Sequence, residues 1–194
     1  MEFVMKVEFI VNNDREISDA LKKSSALAKE NKFDDAIELL KETLPKMFSA
    51  GTSYPGDTYA KIIPYFQKAG HYLEIEAFSI KYLIPEVELK AKKNFSHKSI
   101  EIQNAFGSLY VSDIYKKMAL CAKREKLKSD ESRFNDLTQE YKTKYSELLE
   151  LGEQTSLQLD YKKAVKKFGS DTHKWSDTVK RKYQSILLAE KGIS

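Results

Sequence analysis

The sequence predicts an all-α fold, stacked antiparallel helical hairpins with a short N-terminal extended arm and a basic helical C-terminus. Three observations carry this. Only 7 Gly and 4 Pro occur in 194 residues, too few for the many turns of an all-β chain. Apolar residues recur at helical spacing in segment after segment. Those segments are separated by brief polar or glycine-containing breaks. Hydrophobic residues make up 41% of the chain and charged residues 32%, which fits a folded chain rather than a disordered or membrane-embedded one.

Residues 3–11 alternate from Met5 through Val7 and Phe9 to Val11, a pattern compatible with a short strand or an amphipathic arm. Asn13 followed by Glu16 matches a capping box, so the first helix is expected from there to about Glu30. Asn31-Lys32 breaks it, and a second helix over about 34–47 carries Phe33, Ala36, Ile37, Leu40 and Leu44 at helical spacing. Residues 49–56, Ser-Ala-Gly-Thr-Ser-Tyr-Pro-Gly, form the clearest loop. A third helix over about 57–69 is expected to kink at Pro64. After the turn at Gly70, a fourth runs from Tyr72 to about Ile84, where Pro85 interferes.

A break at Asn94-Phe95-Ser96 precedes a long helix over about 97–127, with a bend at Gly107-Ser108. Another follows from about 131 to Leu151, with Phe134, Tyr141 and Leu148 seven residues apart, a seam suited to an antiparallel hairpin partner. Gly152 is expected to end it. Two short basic helices, about 157–168 and 174–190, complete the chain. The expected organisation is therefore a helical-hairpin body over 1–155 and a basic helical segment over 156–194 on the same domain.

Leu27-Ala-Lys-Glu-Asn-Lys-Phe-Asp-Asp-Ala-Ile and Phe66-Gln-Lys-Ala-Gly-His-Tyr-Leu-Glu-Ile-Glu share a pattern at several positions. Each has a Lys two residues before the breaker (Lys29, Lys68), the breaker itself (Asn31, Gly70), and an aromatic two residues beyond it (Phe33, Tyr72). A small or branched apolar residue (Ala36, Ile75) and then a Leu (Leu44, Leu83) follow. This resembles the tetratricopeptide repeat over residues 17–85 and more weakly to 150, where Met118–Lys126 keeps only the basic residue, Arg124. The period is 39 residues against the family's ~34. Ile75 stands where Ala is usual, and Ala20 and Tyr59 stand where the first-helix Trp is expected.

The resemblance implies a non-catalytic protein-interaction or scaffold module holding a peptide or protein partner on its first helices, through Lys29, Gln67, Lys68, Lys123 and Arg124. The alternative is nucleic acid. Residues 161–194 hold nine Lys and Arg against three Asp and Glu, whereas the whole chain is only +4. Lys162, Lys163, Lys166 and Lys167 gather on one side of a helix, and Lys180-Arg181-Lys182 follow near Trp175, a cluster able to neutralise phosphates.

No cofactor motif is present, and neither a metal nor a membrane partner is expected. His71, His97 and His173 lack ligand spacing. Cys121 reads as a buried, inert thiol, and as the only cysteine it cannot form an internal disulfide, which points to a cytoplasmic protein. Nothing singles out a nucleophile with its base, so no enzymatic activity is expected. The aromatic run Tyr54, Tyr59, Tyr65, Phe66, Tyr72, Phe78 and Tyr82 reads as core packing, with Tyr54 least so.

Overall fold

A computed structural model describes residues 2–190, and side chains from 14 to 189. The chain is 84% helical with no strand among the described residues. Helix α1 spans Glu2–Lys29, and α2 spans Phe33–Ser49. A segmented stretch follows: α3 (Gly56–Tyr59), a 3-10 turn (Ala60–Ile62) and α4 (Ile63–Lys68). Then come α5 (Glu74–Phe78), a π turn (Ser79–Leu83) and α6 (Ile84–Asn94). Two long helices, α7 (Ile100–Arg124) and α8 (Lys128–Phe168), precede the short α9 (Asp177–Lys182) and α10 (Gln184–Glu190).

Three turns share one geometry. Asn31, Gly70 and Lys126 all adopt positive φ, at 61°, 85° and 61°. The next amide returns to the carbonyl five residues earlier in each case: Lys32 to Leu27 (2.9 Å), His71 to Phe66 (2.8 Å) and Leu127 to Ala122 (3.0 Å). This is the Schellman arrangement, which satisfies carbonyls that a helix end otherwise leaves free. Side chains hold the three turns together. His71 Nε2 lies 2.9 Å from Asp34 Oδ1, the Gln67 amide donates to Glu125 at 2.6 Å, and the Tyr72 hydroxyl donates to Asp130 at 3.0 Å.

Behind the turns lies the main core, with Ile17, Leu40, Leu44, Met47, Tyr59, Ile62, Ile63, Leu83, Ile114 and Met118 all sealed from solvent. Ala36 is fully buried on α2. Ala36→Leu is expected to cost on the order of 1–3 kcal/mol in a urea melt; an unchanged midpoint would contradict this packing.

Several sequence expectations are corrected. The first residues are not an extended arm, because α1 is helical from Glu2 and runs through Asn13–Glu16 without a cap. The strand-like alternation there coexists with apolar residues at helical spacing (Phe3, Val7, Ile10), so the pattern alone did not choose. Pro64 does not kink a helix interior; it occupies the first turn of α4, where a missing N–H costs nothing. Pro85 does not end its helix either. The Ile84 amide reaches back five residues to Ser79, and this widened π turn admits the proline at the start of α6. Helix α7 continues unbroken past Gly107-Ser108.

Gly152 is the largest departure. It lies inside the 41-residue α8 and is buried where α8 crosses the start of α7. A Cβ placed on it would lie 2.5 Å from Ile102 Cγ1 and 3.1 Å from both the Ile102 nitrogen and Ser99 Oγ. The glycine permits close approach rather than a stop. As the seven-residue seam predicts, α8 lies antiparallel on α7, with Tyr115 against Phe134 and Tyr141 and Phe106 against Tyr145.

Past Gly152, α8 outruns α7 by roughly 24 Å at 1.5 Å per residue. A second apolar cluster forms on this overhang, with Ala164, Trp175 and Tyr183 buried and Leu157, Tyr161, Val165, Val179, Ile186 and Leu187 packed around them. The Trp175 indole N–H donates to the Gly169 carbonyl at 2.9 Å. The residues expected to form a separate helix over 157–168 are thus the end of α8. Lys191 and its neighbours lie outside the described residues.

Candidate functional site

An open groove of about 380 Å³ lies between α1, the α3–α4 stretch and α7. Its lining is Leu21 from α1, Asp57, Thr58, Lys61, Pro64 and Tyr65 from the segmented stretch, and Lys117 from α7. Helix α3, the 3-10 turn and the head of α4 together supply five of the seven lining residues, so the segmented stretch shapes the groove directly.

Two lysines tie the walls together. Lys61 Nζ donates to the Leu21 carbonyl at 2.8 Å and to Ser25 Oγ at 2.6 Å, bridging to α1. Burial holds its pKa below the ordinary lysine value, the expected direction for a desolvated cation without a carboxylate. Lys117 pairs with Asp57 at 3.1 Å, bridging α7 to α3. Beside this pair, Asp113 is half-buried, and burial together with Asp57 pushes its carboxyl pKa up. A Cβ at Gly56 would lie 2.3 Å from Asp113 Oδ2, so that turn needs glycine for close approach. The groove lining thus combines apolar Leu21, Pro64 and Tyr65 with charges of both signs from Lys61, Lys117 and Asp57.

The five residues singled out from the sequence lie at the turn end. Lys29, Lys68, Lys123 and Arg124 are exposed and Gln67 is partly so. Gln67 is engaged with Glu125, and Lys68 Nζ lies 5.2 Å from the centre of the Phe33 ring. None of the five is among the groove-lining residues. They nevertheless stand seven or eight residues beyond groove residues: Leu21 and Lys29, Lys61 and Lys68, Lys117 and Arg124. Seven residues is about two helical turns, which keeps each pair on one face. That spacing was the signal available in the sequence for Leu21, Lys61 and Lys117. Thr58, Pro64 and Tyr65 needed the three-dimensional arrangement.

The basic cluster divides. Lys162, Lys163, Lys166 and Lys167 are exposed along the overhang of α8, and Lys167 Nζ sits 5.2 Å from the Phe168 ring centre. Lys182 is paired with Asp160 at 2.9 Å, which draws the Asp160 pKa down. Lys180 lies 3.9 Å from Asp177, and Arg181 is exposed. Trp175 is buried in the second cluster and is closed to base stacking.

The remaining chemistry is sparse. Cys121 is fully buried, and burial pushes its thiol up to about 11, which leaves it protonated and unreactive at neutral pH. Among the described residues, no three His, Cys, Asp or Glu side chains converge on a metal-sized site, and no helix is long and apolar enough to cross a membrane. Of the aromatic run, Tyr59 and Phe66 are buried, while Tyr54, Tyr65, Tyr72, Phe78 and Tyr82 pack partly buried against the core.

Comparison with protein-family models, with curated proteins and with solved structures returns no match.

Proposed function

We propose that the protein is a non-catalytic interaction or scaffold module of tetratricopeptide-like hairpins that holds a peptide or protein segment in the groove across its first helices. The observation that carries this reading is the groove itself, which draws its lining from α1, the α3–α4 stretch and α7, the first helices of the three hairpins in this reading. Its mixed lining suits a peptide, since the apolar residues would contribute affinity while Lys61, Lys117 and Asp57 would orient backbone or side-chain polar groups. The shared turn geometry at Asn31, Gly70 and Lys126 supports the repeat-like reading. The turn-end residues Lys29, Gln67, Lys68, Lys123 and Arg124 would extend the same face. A photo-crosslinking residue at Thr58 tests this in native extract. It is expected to capture a discrete protein that the same residue at Ser146, on the exposed side of α8, does not capture. Equal labelling from both positions would remove the groove reading.

The second reading, nucleic acid, is favoured by the exposed lysines on the overhang. With Trp175 and Tyr183 buried, binding there would rest on phosphate contacts rather than stacking. Changing Lys162, Lys163, Lys166 and Lys167 together to Gln is expected to weaken binding to single- or double-stranded nucleic acid. It should also shallow the slope of log affinity against log salt by up to about 0.9 per lost phosphate contact on duplex DNA. The far-ultraviolet helical signal should be retained, because exposed substitutions of this kind alter stability by about 0.5 kcal/mol or less each. A wild-type protein that binds no nucleic acid at low salt, or a variant with the same slope, would dismiss this reading.

A further inference from the structure

A second cleft, of about 280 Å³, lies between α6, α7 and α8 on a different part of the molecule. Its lining includes Glu88 and Lys92 from α6, Gln103, Asn104, Gly107 and Ser108 from α7, and Lys144 and Leu148 from α8.

Ser108 is only 3% exposed, lines this cleft, and makes no hydrogen bond among the described residues. Several other helical hydroxyls turn back to their own helix, Ser24 to Leu21, Ser112 to Leu109 and Thr138 to Phe134, and Ser79 is unpartnered but sealed away from any cleft. The Ser108 oxygen is not among the buried unpartnered atoms and is therefore open to the cleft, where a ligand would take the place of water as its hydrogen-bond partner. Glu88 and Lys92 are four residues apart on one helix, the spacing at which opposite charges commonly pair, yet they do not pair with each other or with Lys144. Lys144 instead lies over the Tyr141 ring at 5.5 Å. Two cations, one carboxylate, an amide and a hydroxyl therefore face one small space with their charges uncommitted to one another.

We propose that this cleft binds a small anionic metabolite, a phosphate or carboxylate that also carries a hydroxyl or ammonium donor. The anion would sit between Lys92 of α6 and Lys144 of α8, both of which line the cleft. Glu88 would accept from the donor, and Asn104 and Ser108 would complete the set. The volume lies just below the range of drug-sized sites, which excludes a folded peptide and favours a compact polar molecule.

The test is titration of the ¹⁵N-labelled full chain with sn-glycerol 3-phosphate, with D-glycerate, and with glycerol as the uncharged control. One of the two anions is expected to produce saturable shifts at the Asn104, Gly107 and Ser108 amides with a Kd at or below ~1 mM, and glycerol none. Which anion saturates distinguishes phosphate from carboxylate. The Lys92→Gln/Lys144→Gln variant, altered only at exposed cations, is expected to bind at least about tenfold more weakly, a loss of ~1.4 kcal/mol. Ser108→Ala should also weaken binding, severalfold. Absence of saturable shifts at these amides with both anions overturns the proposal, as does a double variant that binds like the wild type. Neither result bears on the groove across the first helices, which shares no lining residue with this cleft.

Discussion

Truncating Tyr59 to alanine is expected to lower folding stability by on the order of 3–5 kcal/mol, the range for deleting a fully buried aromatic. Tyr59 has no exposed surface and stands at the centre of the aromatic packing. Its ring stacks on Phe48 at 5.1 Å and 7°, meets Tyr54 edge-on at 6.2 Å, and lies 5.9 Å from Tyr110. Its hydroxyl accepts from the Tyr54 amide at 3.4 Å, which ties the 49–56 loop to the core. The loss should appear as a shifted urea midpoint, and Tyr59→Phe should restore most of it.

The same residue gives the protein an alkaline limit. Burial pushes the Tyr59 pKa up to about 12, while an unfolded tyrosine titrates near 10. A group whose folded pKa is raised contributes stability that is fully present below the unfolded pKa and lost as pH rises through the folded one. Stability should therefore fall between about pH 10 and 12, by on the order of 2 kcal/mol from this group. Burial also raises Tyr65, Tyr82, Tyr115 and Tyr141, so Tyr59→Phe should flatten the decline rather than abolish it.

Gly152→Val is expected to be the most damaging change on α8. Its Cβ would meet the backbone nitrogen of Ile102 as well as its side chain, and a backbone cannot swing aside. Even Gly152→Ala should cost on the order of 1–3 kcal/mol, despite the ~1 kcal/mol that alanine gains over glycine in a helix interior. Gly107→Ala provides the contrast, because its added Cβ would make only ordinary contact, 3.7 Å from Glu88 Cα; the propensity gain should then dominate. A stabilising Gly152→Ala would mean that α8 does not press on the start of α7.

These two positions also mark what the sequence could convey. The helical periodicity of Phe33, Ala36, Ile37, Leu40 and Leu44 located α2 to within two residues, because packing follows the repeat itself. The breaks at Asn31, Gly70 and Asn94–Ser96 were readable because turn chemistry is local. Gly152 and Pro85 were misread for the same reason: local rules treat them as stops. What decides at Gly152 is Ile102, fifty residues away, and at Pro85 a widened turn that no residue type announces. For the groove, the residues singled out by alignment lie at the turn end of their helices, about two turns from the lining. The overhang of α8 was hidden because its length depends on where α7 begins. The cleft with Ser108 had no sequence signal, since its residues come from three helices with no shared spacing.

The claim that the first-helix groove is the partner site meets its most direct test in one binding measurement. The segment captured from Thr58 is synthesised as a peptide, and its Kd is measured for the wild type, for Thr58→Trp and for the Lys162, Lys163, Lys166 and Lys167 to Gln variant. A Trp at position 58, which lines the groove, would occupy it. The account predicts at least about tenfold weaker binding for Thr58→Trp, a loss of ~1.4 kcal/mol, with the lysine variant unchanged. Wild-type affinity in Thr58→Trp, or a loss confined to the lysine variant, would contradict it.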